Sequence, residues 1–342
     1  MRALYFESFN GPLEVREIEV PYPAPKSVLI KVEATGLCRS DWHGYAGHDS
    51  DISLPHVPGH ELAGTVAQIG NQVKGFKIGD RVTVPFVNGC GTCTWCLEGN
   101  AQVCPTQTQP GFTQFGSFAE YVEIRNADFN LIAIPDEISF EVAAALGCRF
   151  ATSFRGLTAR ANVQAGELVA IVGCGGIGLS AVMIAKALGA KVIAVDINVQ
   201  ALNNAKELGA DYLFKSDVAI EEIQKLGGAH VAIDALGSQK TAEISIKSLR
   251  RLGKHLQLGL LLTEDGLTPM AMARLIGWEL EILGSHGMAA VDYPKMLQMI
   301  AEGKLNPERF IKRTISLEEA LTALPEMATA IQDGITIIKP AN

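Results

Sequence analysis

The chain has 342 residues, enough for two domains of ordinary size. With 48% hydrophobic and 19% charged residues it can bury a large core, which excludes an intrinsically disordered chain. A net charge of −8 argues against nucleic acid or an anionic membrane as the main partner, and no stretch approaches the roughly 20 apolar residues of a bilayer span.

Met1-Arg2-Ala3-Leu4-Tyr5-Phe6 runs into polar residues with no basic-then-apolar leader, so a cytoplasmic protein is expected. In that reducing setting, seven cysteines read as metal ligands or buried thiols, not disulfides. To about residue 148 the chain reads as short strands broken by Gly and Pro, such as Val28–Val32 and Arg81–Val84 after the turn Lys77-Ile78-Gly79-Asp80.

An irregular stretch follows, carrying Cys90, Cys93, Cys96 and Cys104 in the pattern C-x2-C-x2-C-x7-C. Four soft ligands on one short loop can wrap a tetrahedral zinc with no open position, which makes the site structural. Cys104-Pro105 and the first two spacings also suit an iron–sulfur cluster. The gap from Cys96 to Cys104 is too long for the ferredoxin run, however, and no second cysteine set exists.

From Leu168 apolar strands alternate with amphipathic helices, the pattern of a parallel sheet with helical crossovers. Expected strands are Leu168–Val172, Lys191–Val195, His230–Ile233 and His255–Leu258. Two helices end alike, at Leu188-Gly189 and Leu208-Gly209, with glycine where a left-handed cap is wanted.

Gly173-Cys174-Gly175-Gly176-Ile177-Gly178 lies between the first of these strands and a helix. It reads as a dinucleotide loop whose glycines permit the turn, the approach of a pyrophosphate and close packing. Asp196, 18 residues beyond Gly178, would bind the ribose hydroxyls and repel a 2′-phosphate, favouring NAD. Cys174 is expected to be a packed residue. A helix around Tyr293–Glu302 and a short tail are expected to return to the first domain.

Cys38, Cys148 and Cys174 remain, with His60 in Pro58-Gly59-His60-Glu61. Two distant cysteines and one histidine form a ligand set known from catalytic zinc sites, but spacing alone cannot pair ligands so far apart.

Gly36-Leu37-Cys38-Arg39-Ser40-Asp41-Trp42-His43, Gly59-His60-Glu61, the four-cysteine lobe, Gly147-Cys148 and the Gly173–Gly178 loop stand in the order found in one family. Over essentially its whole length the chain resembles the zinc-dependent medium-chain alcohol dehydrogenases. The resemblance implies an α/β fold: a β-rich GroES-like catalytic domain at 1–149 and 286–342, and a doubly wound Rossmann domain at 150–285. The active cleft is expected between them.

It implies two zinc ions per chain, with Cys38, His60 and Cys148 holding the catalytic one, Asp41 orienting His60 and Glu61 near the metal. Zinc would lower the alcohol's pKa, Ser40 would take the hydroxyl proton, and the cofactor ribose with His43 would pass it to solvent. Arg39 would neutralise the pyrophosphate. Thr152 would meet the carboxamide, and Leu236, Leu258, Gly259, Leu260 and Leu283 would line the nicotinamide pocket.

Residue by residue, plainer roles compete: Ser40-Asp41 is also a helix-start signal, Glu61 an ordinary ion-pair partner, His43 a surface histidine and the leucines packed strand ends. A Cys at 148 favours alcohol dehydrogenases over polyol dehydrogenases, which usually place Glu there; an aldehyde reductase, or a regulatory protein without turnover, is the rival reading. Ala201 stands where NAD-using relatives often carry a ribose-binding Lys, and Asp49 and Pro85, with Phe86 adjacent, where ethanol-preferring relatives carry tryptophans. The expected partner is a small alcohol, aldehyde or ketone, and the expected assembly a homodimer or homotetramer.

Overall fold

The structure, a computed structural model, describes residues 1–261, 267–329 and 334–341. The chain divides into two compact units: Met1–Ala151 with Gly287–Gly303 and Pro307–Asn342, and Thr152–His286 with Lys304–Asn306.

The first unit is built on a seven-stranded sheet among the described residues. Its central strand, Val28–Leu37, pairs antiparallel with Glu61–Ile69 and with Tyr121–Ile124. Val28, Ile30 and Val32 point to one face by the alternation of a strand and pack with Leu62, Val66, Val82 and Val122. The register sets Gly36 opposite Glu61, and the strand hands directly to the helix Arg39–Tyr45. This strand runs past the expected Val32, because bulges at Leu29/Ile30 and Val32/Ala34 keep it paired across polar Glu33. The tail does return to this unit: Ile335–Ile338 lies between Val28–Leu37 and Ile311–Ile315.

The second unit holds six parallel strands among the described residues. Their order is Tyr212–Lys215, Lys191–Asp196, Leu168–Val172, Ala229–Asp234, Leu249–Gln257 and Glu281–Gly284. The chain starts in the middle, works outward, then returns to the other side of its first strand. The switch point therefore lies between Leu168–Val172 and Ala229–Asp234, where open α/β sheets bind ligands at the carboxyl ends of their strands. Every residue of Leu168–Val172 is buried, as suits a central parallel strand. The strand expected at His255–Leu258 instead begins at Leu249, since Leu249 pairs with Ala229 and Lys254 with Val231, and polar Arg250 and Arg251 fall in the register shift between these pairs.

Candidate metal and dinucleotide sites

The helix Arg39–Tyr45 opens at Cys38. Of the two residues in the helix-start signal, Asp41 does the capping: its Oδ2 accepts from the Cys38 amide at 2.8 Å. The other oxygen, Oδ1, accepts from the Gly59 amide at 3.1 Å and sits 2.9 Å from His60 Nδ1. A buried carboxylate there orients the ring through Nδ1 and leaves Nε2 for the neighbouring thiols. That Nε2 is buried and has no hydrogen-bond partner.

The ligand atoms of Cys38, His60, Glu61 and Cys148 all lie within 4.8 Å of one another. Cys148 arrives on a π-helical turn, Leu146–Phe150, that continues the helix Phe140–Ala145. Two thiols facing an unpartnered imidazole nitrogen are the donor set of an open zinc site, so the residues fit the metal. A hydrogen bond from Cys148 holds the Cys38 thiol well below its usual range, while the Cys148 thiol is pushed up.

Glu61 is fully buried and ion-paired. Arg149 reaches Glu61 Oε2 through Nη2 at 2.6 Å and Oε1 through Nε at 3.1 Å, and also donates to the Leu37 carbonyl. The two readings of Glu61 thus coincide: it stands among the metal-ligating atoms and has a salt-bridge partner. Burial raises its pKa, and the guanidinium opposes that shift. A Cβ at Gly36 would collide with this carboxylate, which accounts for glycine opposite Glu61. Arg149 was not singled out from sequence; an arginine beside a candidate ligand cysteine was the available signal.

Ser40 Oγ lies 3.8 Å from Cys38 Sγ, and His43 Nδ1 lies 2.9 Å from His48 Nδ1. Burial, then the neighbouring His48, lowers the His43 pKa. Arg39 donates to the Ala328 carbonyl at 3.0 Å. Phe112 and Phe86 flank the His60 ring at 5.1 and 6.1 Å between centroids, giving the site an aromatic wall. Asp41→Asn removes the charge that orients His60 and is expected to weaken metal retention roughly 10–100-fold. Competition with a chromophoric chelator measures it, and unchanged retention would reject the orienting role.

In the cysteine lobe, the Sγ atoms of Cys90 and Cys96 are 3.9 Å apart and those of Cys93 and Cys104 3.8 Å. Four sulfurs at about 2.3 Å from a common centre define a tetrahedron with an edge of about 3.8 Å. The four thiols are free of disulfides and fit one zinc. The Thr92 hydroxyl, with the Thr92 and Cys93 amides, lowers the Cys90 thiol to about 5, whereas burial pushes Cys96 up to about 12.

In the second unit three of the four loop glycines have three different constraints. Gly173 has φ +94°, a left-handed conformation that favours glycine. A Cβ on Gly175 would meet open space, leaving its backbone accessible. A Cβ on Gly178 would collide with the Gly173 carbonyl. The helix Gly176–Ala187, including Ile177, starts in this loop with no side-chain cap on its first amides, as an anion-binding helix start requires. Asp196 ends the next strand; its oxygens accept from the Cys174 amide at 2.7 Å and the Asn198 amide at 2.8 Å. Cys174 itself is packed away, 2% exposed. Thr152 and Leu258 are buried, while Leu236 and Leu260 are exposed.

Comparison with known proteins agrees with these features. Residues 24–136 match the alcohol dehydrogenase GroES-like domain, and residues 176–302 match the zinc-binding dehydrogenase domain. The chain belongs to the zinc-binding dehydrogenase family. An alcohol dehydrogenase of Geobacillus stearothermophilus is 38% identical over 89% of this chain and 90% of its own length. An NAD-dependent alcohol dehydrogenase of Sulfolobus acidocaldarius is 33% identical over 99% of each. Among solved structures, the alcohol dehydrogenase TADH from Thermus sp. ATN1 superposes with a TM-score of 0.90 at 28% identity, covering 99% of both chains. Membership in the family accounts for both the parallel-sheet unit and the GroES-like unit.

Proposed function

We propose that this protein is a zinc-dependent alcohol dehydrogenase that reversibly oxidises primary or secondary alcohols to aldehydes or ketones with NAD. The observation that carries the reading is the buried, unpartnered His60 Nε2 facing the thiols of Cys38 and Cys148. Those three residues would hold the reacting zinc, and Cys90, Cys93, Cys96 and Cys104 a structural one. Zinc in the first set supplies Lewis acidity that makes an alcohol hydroxyl easier to deprotonate.

The chain's own groups do the rest. Ser40, beside Cys38, takes the hydroxyl proton; His43, whose pKa is lowered by burial and then by His48, passes it on. Asp41 keeps His60 in register, Glu61 stands in reserve beside the metal ligands, and Phe86 and Phe112 exclude water. Gly173, Gly175, Gly176, Ile177 and Gly178 cradle the pyrophosphate, with Arg39 as its counter-charge. Asp196 would bind the ribose hydroxyls, and Thr152, Leu236, Leu258, Gly259, Leu260 and Leu283 would receive the nicotinamide, whose hydride-accepting chemistry the cofactor would supply when bound.

The seven thiols, none in a disulfide, support a reducing, cytoplasmic setting. No described helix is long and apolar enough to cross a membrane. A homo-oligomer, dimer or tetramer, is supported by the outer strand Glu281–Gly284, which ends the six-stranded sheet with Ile282 exposed.

The reading is tested by adding NAD and a panel of primary, secondary and polyhydric alcohols to the zinc-loaded protein and following nicotinamide absorbance. Reduction is expected with simple alcohols, faster with NAD than with NADP and faster than with polyols. Bound cofactor without turnover of any alcohol or aldehyde would instead mark a regulatory protein.

A further inference from the structure

A chain of hydrogen bonds crosses the interior of the parallel-sheet unit and ends on two of its loops. Ser245 Oγ lies 2.8 Å from His255 Nδ1, and His255 Nε2 lies 3.1 Å from Gln257 Oε1. Gln257 Nε2 donates to Asp234 Oδ2 at 2.9 Å and to the Gly259 carbonyl at 2.8 Å. Asp234 Oδ1 accepts from the amides of Leu236 and Gly237 at 3.0 and 2.9 Å, and the Asp234 carbonyl accepts from those of Leu258 and Gly259. Ser245, His255 and Asp234 are all buried. His255 and Gln257 share a sheet face because they are two apart on one strand.

The direction of every bond is determined. Gln257 gives both amide hydrogens to oxygens, so its own oxygen must accept. His255 therefore carries its hydrogen on Nε2, Nδ1 accepts, and the Ser245 hydroxyl donates. A buried polar network that is fully satisfied rigidifies what it holds, whereas a broken one leaves a desolvated group behind.

What it holds is a pair of loops at the carboxyl ends of adjacent strands, one following a strand that flanks the switch point. They touch backbone to backbone: a Cβ on Gly237 would collide with the Leu260 carbonyl, and one on Gly259 with the Gly237 amide. The loops therefore shift together or not at all. They display Leu236 and Leu260 at 61% and 60% exposure, an unusual degree for leucines on so firmly anchored a backbone.

We propose that His255 is a positioning residue for the nicotinamide half of the cofactor. Through Gln257 and Asp234 it sets where Leu236 and Leu258–Leu260 stand. This rests on the NAD reading above. It concerns the nicotinamide end, because the proposed adenosine and pyrophosphate contacts on the Gly173–Gly178 loop and Asp196 make no hydrogen bond to the network, although Gly173 packs against Leu236.

The test uses the full-length, zinc-loaded protein and compares affinities for NADH and for ADP-ribose, which lacks the nicotinamide. His255→Phe removes both side-chain bonds at similar volume; it is expected to weaken NADH roughly tenfold and leave ADP-ribose within about twofold. His255→Gln, which keeps a donor, recovers most of the loss. Ser245→Ala, which breaks only the far end, weakens NADH about two- to threefold and serves if His255→Phe does not fold. Leu236→Asp is the direct probe of the pocket. If it weakens NADH while the His255 and Ser245 variants bind normally, the positioning role is overturned and the pocket stands. If no variant affects NADH, the pocket assignment falls and the positioning role with it. Equal loss of NADH and ADP-ribose in His255→Phe indicates general damage and also overturns the proposal.

Discussion

Cys38→Ser is expected to lower kcat/KM for alcohols about a thousandfold while the protein keeps its circular dichroism and its affinity for NADH. The hydroxyl of serine stays protonated at neutral pH and is a hard, weak partner for zinc, where a thiolate is soft and strong. With Cys38 gone, the ligand atoms gathered around the His60 nitrogen lose one of their two sulfurs. Lewis-acid activation is worth several kcal/mol, and about 4 kcal/mol corresponds to a thousandfold. Metal analysis should find one zinc per chain instead of two. The NADH measurement isolates the cause, since the Gly173–Gly178 loop lies in the other unit of the chain. Normal turnover in this variant would remove Cys38 from the ligand set, and with it the proposed chemistry.

Cys96→Ser is expected to act on stability instead. Cys96 is 3% exposed, packed with Cys104, Ala101 and Ala289. Its lobe has a short helix Thr94–Leu97, a single 3-10 turn Ala101–Val103 and little apolar core of its own. A segment so poor in regular structure depends on its ion for order. Loss of one thiolate is expected to cost on the order of 3–5 kcal/mol and to lower the melting temperature by about 10 °C. Protease digestion should then cut first within residues 88–116. Well below its melting temperature, where it stays folded, the variant should turn over normally per catalytic zinc. A variant as stable as the parent, with two zinc ions, would show that the lobe folds without its fourth sulfur.

How far sequence reached depended on how local each feature is. The cysteine lobe was legible because its spacing alone brings four thiols to one loop, and the dinucleotide loop because strand, glycines and helix are contiguous. Asp41 was legible only through family resemblance; the amide of Gly59 and the ring of His60 reach it across 18 and 19 positions. Arg149 escaped because pairing with Glu61 spans 88 positions, and a buried arginine cannot be told from an exposed one in sequence. The His255 network escaped for a related reason. It needs the parallel register of Ala229–Asp234 against Leu249–Gln257, which sets Asp234 beside Gln257, and polar Arg250, Arg251 and Lys254 hid that strand's start. Strands Tyr212–Lys215 and Glu281–Gly284 were missed because four residues carry too little periodicity to stand out.

The two metal sets differ in one respect that bears on how the protein is made. The lobe's ligands lie 14 positions apart at most, from Cys90 to Cys104, whereas Cys38 and Cys148 are separated by 110. A growing polypeptide can capture the first ion as soon as residue 104 has left the ribosome, with almost no chain closure required. The second must wait until the helical turn Leu146–Phe150, which carries Cys148, has been synthesised and brought back onto the early strands. Scarcity of zinc during translation would therefore reach the two centres at different moments, and a half-loaded molecule would be ordered in its lobe yet unable to turn over alcohol.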